Sequence, residues 1–325
     1  MSARDLAGKA GVVTGAGGGI GRAVALELAR RGAAVVINDL GVALDGGEGT
    51  ASTAAAEAVV AEIVALGGEA IVDAGSVADP ADVEAMVARC AGTFGRVDFG
   101  VHSAGILRDR IFHKMTVDDF DAVIAVHLRG AFLLSSALAA RFRTQGGGAI
   151  VHMTSTSGLI GNLGQANYAA AKLGVVALTR SIALDMARYG VRANAIAPFA
   201  WTRMTGSIPT AAASGDTGDD GDGAPDRLAG LRRTSPADIA PLVAHLISDA
   251  GAGVSGQVFA VRGREITLFS LPTPLRSVVL PRVSIADDAA AAAASAIDIA
   301  SAVTALAPSF TPLRTSAEVF CYPPP

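Results

Sequence analysis

The sequence predicts an α/β fold: a single Rossmann-type, doubly wound sheet of seven parallel strands with helices on both faces. Short apolar runs alternate with longer segments of helical period from Lys9 to about Gly263, as in βαβ units. A glycine-rich turn follows the first apolar run. Apolar residues make up 51% of the 325 residues and charged residues 17%, which provides enough hydrophobic surface for one large core.

Each predicted strand is short and apolar, as a sheet covered on both faces requires. The strands are Gly11–Thr14, Ala34–Asn38, Ala70–Asp73, Phe99–Ser103, Ala149–Thr154, Arg192–Ile196 and Gln257–Val261. Helical patterns lie between them, and Gly67-Gly68 is a typical stop signal after one of these helices. We therefore expect the domain to span residues 1–265.

Two segments break this alternation. Residues 206–230 are rich in Gly, Asp, Ser and Ala without apolar periodicity, which predicts a mobile substrate loop. Residues 266–325 form a tail rich in Pro and Ala. We expect this tail to pack on the domain or on a neighbouring subunit, and a disordered end is the alternative.

Composition excludes several classes of partner. The net charge of −4 and the pI near 5.7 argue against nucleic-acid binding. Cys90 and Cys321 are the only cysteines, so we expect no disulfide scaffold, no metal site and a reducing cytoplasmic location. No stretch of about 20 uninterrupted apolar residues predicts a membrane span, and the N-terminus lacks a signal-peptide pattern.

The first predicted strand runs into a turn that suits a dinucleotide phosphate. A pyrophosphate needs close backbone approach and free N–H groups at a helix N-terminus. The expected contacts are Gly15, Gly19, Ile20 and Gly21.

Asp39 ends the second predicted strand, where a carboxylate can accept a hydrogen bond from a ribose hydroxyl. An ordinary turn or capping aspartate is the alternative. No Arg or Lys lies between Gly15 and Gly21, so we predict NAD rather than NADP.

Ser155, Tyr168 and Lys172 form the predicted catalytic group. Tyr168 and Lys172 are four residues apart in a helical segment, so both project from one helix face. A phenol with a pKa near 10 is a poor base at neutral pH, and a neighbouring ammonium favours its ionised form. Ser155 ends a strand and would donate to a substrate oxygen. This set predicts redox chemistry on a ketone or alcohol.

With these motifs the chain resembles the short-chain dehydrogenase/reductase family over roughly residues 6–265. Thr14–Gly21 matches that family's nucleotide turn, and Tyr168–Lys172, which reads YAAAK, matches its catalytic motif. Ser155 falls at the family's catalytic serine. The resemblance implies a one-domain Rossmann fold and, usually, a homodimer or homotetramer.

A narrower resemblance is to the (3R)-hydroxyacyl-CoA dehydrogenase domain of type 2 multifunctional enzymes and its bacterial relatives. The shared phrases are Val36–Gly41, Ala104–Arg110, Val126–Gly130, Gly164–Tyr168 and Ile196–Pro198 followed by Thr202–Thr205. This resemblance implies an acyl-CoA substrate, namely a 3-hydroxyacyl thioester. A hydrophobic alcohol of similar shape, such as a steroid, is the alternative.

The resemblance also assigns further cofactor contacts. Ala104 and Gly105 would line the cofactor with their backbone, although the family's Asn-Asn-Ala-Gly reads His102–Gly105 here. Ser76 and Val77 would contact adenine. Pro198 and Thr202 would flank the nicotinamide amide.

Two further positions depart from the family pattern. His127 replaces the catalytic asparagine of many relatives, and it would serve either a proton relay or a structural hydrogen bond. Phe199 follows Pro198 where glycine is usual. Together with Trp201 it would either narrow the acyl site or simply pack.

The sequence therefore predicts an NAD-dependent oxidoreductase that interconverts a secondary alcohol and a ketone. The first alternative is an NADPH-dependent 3-oxoacyl reductase of fatty-acid synthesis, which Asp39 disfavours. The second is a nucleotide sensor without turnover, which the intact Ser155, Tyr168 and Lys172 disfavour.

Overall fold

The computed structural model describes residues 4–43, 45–47, 52–200, 234–270 and 272. The predicted loop at 206–230, Trp201, Thr202 and nearly all of the predicted tail lie outside the described residues.

Eight strands form one sheet. They are β1 (Ala10–Thr14), β2 (Ala34–Asn38), β3 (Glu69–Asp73), β4 (Phe99–His102), β5 (Gly148–Met153), β6 (Val191–Phe199), β7 (Val258–Arg262) and β8 (Glu265–Leu268). Their order in the sheet is β3-β2-β1-β4-β5-β6-β7-β8. The first seven strands are parallel, which confirms the predicted doubly wound sheet.

The helices lie between the strands along the chain. They are α1 (Gly19–Arg30), α2 (Ala54–Ala65), α3 (Pro80–Phe94), α4 (Val117–Ile124), α5 (Gly130–Gln145), α6 (Thr156–Leu159), α7 (Ala166–Met186) and α8 (Ala240–Ile247). A π-helical turn, Ala125–Arg129, joins α4 to α5. Short 3-10 turns occur at Phe112–Lys114, Ala187–Tyr189, Pro236–Asp238 and Asp249–Gly251.

The eighth strand is a correction to the predicted count of seven. β8 pairs antiparallel with β7 through a hairpin in which Arg262 faces Glu265. Gly263 has a φ of +56° and opens the two-residue loop, the position at which hairpin turns favour glycine. The described domain therefore continues through residues that the sequence assigned to the tail.

Strand residues alternate between two cores, one on each face of the sheet. Val12 and Val13 are adjacent and fully buried, yet they belong to different hydrophobic clusters, because successive side chains point to opposite faces. One cluster takes in Leu28 and Ile247, and the other takes in Leu138 and Phe142. Helices therefore cover both faces, as predicted.

The run Val117–Gln145 is long and apolar enough to cross a membrane, with a mean hydropathy of 1.7. A single run of this kind is a weak indication, because core helices have the same composition. Here Val123, Leu134, Leu138 and Phe142 are buried in the protein core. The inner face of the run is thus used for packing.

The strand order reverses between β1 and β4, which lie side by side while β2 and β5 flank them. In open α/β sheets, ligands bind outside the carboxyl ends of the strands at this point. The turns after β1 and β4 therefore define where a site is expected.

Candidate active site

The turn after β1 brings bare backbone to the reversal point. Gly15 and Gly19 have φ values of +63° and +50°, in the left-handed region that favours glycine. A Cβ on Gly21 would lie 2.2 Å from the carbonyl oxygen of Gly15, and one on Gly15 would lie 2.7 Å from Cα of Ala104. Since α1 begins at Gly19, its first N–H groups lack helical acceptors. Together with Ile20 in the first turn of α1, these residues fit a dinucleotide pyrophosphate.

Asp39 holds this turn in place. Its Oδ2 accepts a hydrogen bond from the Gly17 amide, and its Oδ1 accepts one from the Gly41 amide, each at 2.8 Å. Each carboxylate oxygen can accept a second hydrogen bond, so a ribose hydroxyl can still be bound. The two roles that the sequence left as alternatives for Asp39 are therefore compatible.

Thr14 fixes the turn after β4 against the turn after β1. Its buried hydroxyl accepts hydrogen bonds from the backbone amides of Ser103 and Ala104 at 3.1 and 3.2 Å. Gly105 follows, and a Cβ there would lie 2.3 Å from Cε1 of His127. The backbone of Ala104 therefore borders the glycine-rich turn Gly15–Gly21, the glycine cradle, and Gly105 follows it.

Three other predicted cofactor contacts, Ser76, Val77 and Pro198, are described and lie near the carboxyl edge of the sheet. Ser76 and Val77 follow β3, and the Ser76 hydroxyl accepts a hydrogen bond from the Ala78 amide at 3.2 Å. Val77 is buried. Pro198 lies inside β6, which runs three residues beyond the predicted end at Ile196 and also includes Phe199.

Ser155, Tyr168 and Lys172 come together as predicted. Ser155 caps α6, where its Oγ accepts a hydrogen bond from the Ser157 amide at 3.1 Å, and its hydroxyl also bonds to the Tyr168 phenol. Lys172 lies one turn further along α7, with Nζ 5.5 Å from the centre of the Tyr168 ring. Its Nζ donates to the carbonyl oxygen of Met153 at 2.7 Å.

Burial sets the protonation states of this group. It raises the pKa of Tyr168 to about 12, the hydrogen bond from Ser155 lowers that pKa, and the negative charge of Asp109 raises it. Burial also lowers the pKa of Lys172 to about 7. Without further positive charge the phenol is therefore neutral at pH 7 and suited to act as an acid.

His127 lies in the π-helical turn and meets Tyr168 edge to face, with ring centres 5.1 Å apart. Its Nε2 lies 2.8 Å from the carbonyl oxygen of Ile106 and 3.1 Å from its amide nitrogen. Nδ1 is buried and has no hydrogen-bond partner within the described part of the chain. Burial, and next the charge of Lys172, hold the pKa of His127 well below its usual value. A neutral imidazole with one unused nitrogen thus lies beside the phenol.

Two more histidines are buried beneath the site on neighbouring strands. His102 lies 3.1 Å from the Thr14 hydroxyl through Nδ1, and His152 lies between the hydroxyls of Ser135 and Thr179 at 2.9 and 2.8 Å. Burial is the main cause that lowers the pKa of each to about 3, and the charge of Lys172 acts in the same direction. Both rings are therefore neutral at pH 7.

Sequence reasoning missed two residues that organise the site. Asn167 is fully buried and donates to the carbonyl oxygens of Arg108 and Asp119 at 2.9 and 3.0 Å. Gln165 donates to Asp109 Oδ2 at 2.8 Å. Both belong to the phrase Gly164–Tyr168, but a sequence phrase does not identify the partners of its side chains.

The described residues contain no group of three or more His, Cys, Asp or Glu side chains that could hold a metal ion.

The chain is similar to known dehydrogenases and reductases over most of its length. Residues 15–263 match the family described as enoyl-(acyl carrier protein) reductase. The hydroxyacyl-CoA dehydrogenase ChsB1 of Mycobacterium tuberculosis is 44% identical over 277 residues, which cover 82% of this chain and 81% of the relative. The mouse peroxisomal multifunctional enzyme type 2 is 45% identical over 202 residues, which cover 62% of this chain and 27% of that enzyme.

The chain is also similar to solved structures of dehydrogenases. A short chain dehydrogenase from Mycobacterium avium superposes with a TM-score of 0.74 at 36% identity, and the match covers 95% of this chain and 98% of that one. A 7α-hydroxysteroid dehydrogenase in complex with NADH and 7-oxo glycochenodeoxycholic acid has a TM-score of 0.70 at 30% identity, with 81% and 97% covered.

Because His102, His127 and His152 are buried in the neutral form, we expect acid to destabilise the fold. Their folded pKa values lie below the unfolded value of about 6.5, so below that pH the unfolded chain binds protons that the native chain does not. Stability is thus lost as pH falls through about 6.5 and onward to the folded values, by up to about 1.4 kcal/mol per pH unit for each fully buried group. Denaturant unfolding at pH 7.5, 6.5 and 5.5 measures this slope.

His152→Asn is expected to reduce the dependence of the unfolding free energy on pH by up to about 1.4 kcal/mol per pH unit. His113→Asn, at an exposed position, is the matched control and should leave the slope unchanged. Equal slopes in His152→Asn and the wild type would exclude His152 as a source of the acid sensitivity.

Proposed function

The chain belongs to the short-chain dehydrogenase/reductase family, and we propose that it uses NAD to interconvert a secondary alcohol and a ketone on a 3-hydroxyacyl-CoA or a steroid-like hydrophobic alcohol. It is an NAD(P)-dependent oxidoreductase. The observation that carries the proposal is the meeting of Ser155, Tyr168 and Lys172 at the sheet edge that also holds the glycine cradle.

In the oxidation direction, the carbinol C–H and O–H bonds break and a C=O double bond forms. When bound, NAD supplies the hydride acceptor and, in its oxidised form, a positive charge near the phenol. Tyr168, as phenolate, takes the hydroxyl proton, and Ser155 donates a hydrogen bond to the substrate oxygen. In reduction the same phenol returns the proton to the oxygen.

Lys172 and His127 support the proton transfer. The ammonium of Lys172 favours the phenolate and would bind the nicotinamide ribose. His127 would either take part in a proton relay through its unused Nδ1 or serve as a structural hydrogen-bonding group through Nε2, which lies 2.8 Å from the Ile106 carbonyl oxygen.

The substrate class is supported by the relatives, which include a hydroxyacyl-CoA dehydrogenase and, among solved structures, a hydroxysteroid dehydrogenase. The choice of NAD is supported by the Asp39 carboxylate at the cradle, since a negative charge there disfavours a 2′-phosphate.

The proposal is tested by measuring initial rates of alcohol oxidation. The substrates are (3R)-hydroxyacyl-CoA thioesters and a hydroxysteroid, each assayed with NAD and with NADP. The expected result is oxidation of at least one of these alcohols with NAD.

Tyr168→Phe is expected to abolish turnover while NAD binding, measured by calorimetry, stays within about twofold. His127→Leu, in the same assay, is expected to lower kcat more than it changes KM.

Near-normal turnover by Tyr168→Phe would remove Tyr168 from the proton transfer. Tight NAD binding by the wild type without turnover of any alcohol would favour the nucleotide sensor, and activity only with NADPH and a 3-oxoacyl carrier-protein thioester would favour the reductase.

Asp39→Ala is expected to weaken NAD binding by about tenfold and NADP binding by less, because the carboxylate that accepts from the ribose hydroxyl also repels a 2′-phosphate. Calorimetric Kd values for both nucleotides measure the ratio. Asp45→Ala is the control, since Asp45 lies in the same loop and, among the residues that the structure describes, its carboxylate accepts only from the exposed Gly47 amide. An unchanged ratio in Asp39→Ala would contradict the ribose assignment.

We also propose that the chain forms a homodimer or homotetramer through the outer faces of α5 and α7. Phe132 on α5 and Leu173 and Leu184 on α7 are 53%, 50% and 79% exposed. Large apolar side chains on adjacent helices favour association, and an isologous dimer would pair this face with itself.

Light scattering tests this assembly. Leu173→Arg is expected to lower the measured mass to that of the monomer, because the interface would bury an unpaired charge. Leu66→Arg places the same charge at an equally exposed leucine near the end of α2 and should leave the mass unchanged. A wild type of monomer mass would rule the assembly out.

A cytoplasmic location is part of the proposal. The buried free thiol of Cys90 supports it, because reduced cysteines are typical of that compartment. Recovery of the protein in the periplasmic or membrane fraction of its cells would contradict it.

A further inference from the structure

His102 is a buried histidine that the proposed reaction does not use. It is the last residue of β4 and is 1% exposed. Its Nδ1 lies 3.1 Å from the hydroxyl oxygen of Thr14, and its Nε2 lies 3.2 Å from the carbonyl oxygen of Val126. Thr14 ends β1, and Val126 belongs to the π-helical turn. One side chain thus joins the strand that leads into the glycine cradle to the turn that carries His127.

The hydrogen-bond partners fix the tautomer of this ring. The hydroxyl oxygen of Thr14 accepts hydrogen bonds from the amides of Ser103 and Ala104, which occupy its two lone pairs. Its own proton is therefore available for donation to Nδ1 of His102. The proton of the neutral ring then resides on Nε2 and is donated to the carbonyl oxygen of Val126. All the groups in this chain of hydrogen bonds are satisfied by one arrangement.

This arrangement requires a neutral imidazole that cannot move away. A protonated ring would direct a second N–H group at the Thr14 oxygen, which has no lone pair left. Burial is the main cause that lowers the pKa of His102 to about 3, so the ring is neutral at pH 7. The ring also lies against the start of α5, because a Cβ on Gly130 would be 3.1 Å from its Cε1.

The peptide group that His102 holds lies directly before His127. The carbonyl of Val126 belongs to the peptide bond that joins these two residues, so its position determines where the His127 ring is placed. That ring meets the Tyr168 ring edge to face, with ring centres 5.1 Å apart. The contacts therefore run without a gap from the end of β1 to the phenol.

We propose that His102 is a positioning residue that fixes the π-helical turn, and with it His127, relative to the glycine cradle, so that a nucleotide bound at the cradle and the Tyr168 phenol keep a constant spacing. This inference rests on the proposed function. It gives a role to a position at which the chain has histidine instead of the family's asparagine. An asparagine amide is too short to reach both Thr14 and Val126, whereas the imidazole presents an acceptor and a donor at two points of one rigid ring.

The steady-state kinetics of alcohol oxidation test the proposal. His102→Asn retains an acceptor for the Thr14 hydroxyl and loses the donor to Val126. Its kcat is expected to fall about tenfold, because small displacements of reacting groups slow the chemical step, while the Kd of NAD stays within about twofold. His102→Gln extends an amide N–H group to the reach of the imidazole Nε2 and is expected to recover most of the lost kcat. Wild-type kcat in His102→Asn would overturn the proposal.

Hydrogen exchange without nucleotide or substrate separates this inference from the proposed function. Mass spectrometry of a peptide that covers Ala125–Arg129 is expected to show exchange about tenfold faster in His102→Asn than in the wild type, and close to the wild-type rate in His102→Gln. Faster exchange in His102→Asn supports the positioning role even if no tested alcohol is oxidised. An unchanged rate would overturn it even if the wild type is active. His102→Leu lacks both hydrogen bonds and gives the same test if His102→Asn is not folded.

His152→Asn is the matched control for exchange. His152 is equally buried and lies beside His102 in register on β5, but its hydrogen bonds within the described structure are to Ser135 and Thr179. This variant also loses a buried imidazole, yet exchange in Ala125–Arg129 should match that of the wild type. An equal increase in His152→Asn and His102→Asn would show general destabilisation and would overturn the proposal.

Discussion

The site depends on the close approach of two turns at the reversal of strand order. β1 and β4 run side by side, and the Thr14 hydroxyl at the end of β1 accepts two amides from the turn after β4. Only a residue without a Cβ allows Gly15 to lie this close to Ala104. At this contact the glycine cradle borders the backbone of Ala104, and Asp39 holds the same cradle through the Gly17 amide.

Tyr168 and Lys172 lie near buried polar side chains that have to remain neutral. His102, His127 and His152 are buried, their pKa values are lowered by burial and by the charge of Lys172, and all three are neutral at pH 7. Their hydrogen bonds satisfy most of their nitrogens, which makes burial tolerable. Protonated histidines in this region would repel the Lys172 ammonium. They would thereby weaken its stabilisation of the Tyr168 phenolate. Neutral imidazoles provide hydrogen bonds without competing charge.

Local signals predicted most of this architecture. The glycine turn, the strands and the spacing of Ser155, Tyr168 and Lys172 are each encoded within a few consecutive residues, and the structure brings them together. β8 was missed because its four residues lie directly after a short hairpin loop, and the end of β6 was missed because Pro198 reads as a strand stop. The roles of Gln165, Asn167 and Asp109 could not be predicted, because they depend on partners 56 and 59 residues away along the chain.

The π-helical turn has a consequence for how this segment tolerates change. A π-turn holds one residue more than an α-helical turn, and that residue lets His127 face the site while α5 continues without a break. Each helical residue turns the chain by about 100°, so loss of a single position between Ala125 and Arg129 would rotate Leu138 and Phe142 away from the core. Length is therefore constrained here more strictly than side-chain identity, and we expect homologous chains to differ in this segment by substitution rather than by insertion or deletion.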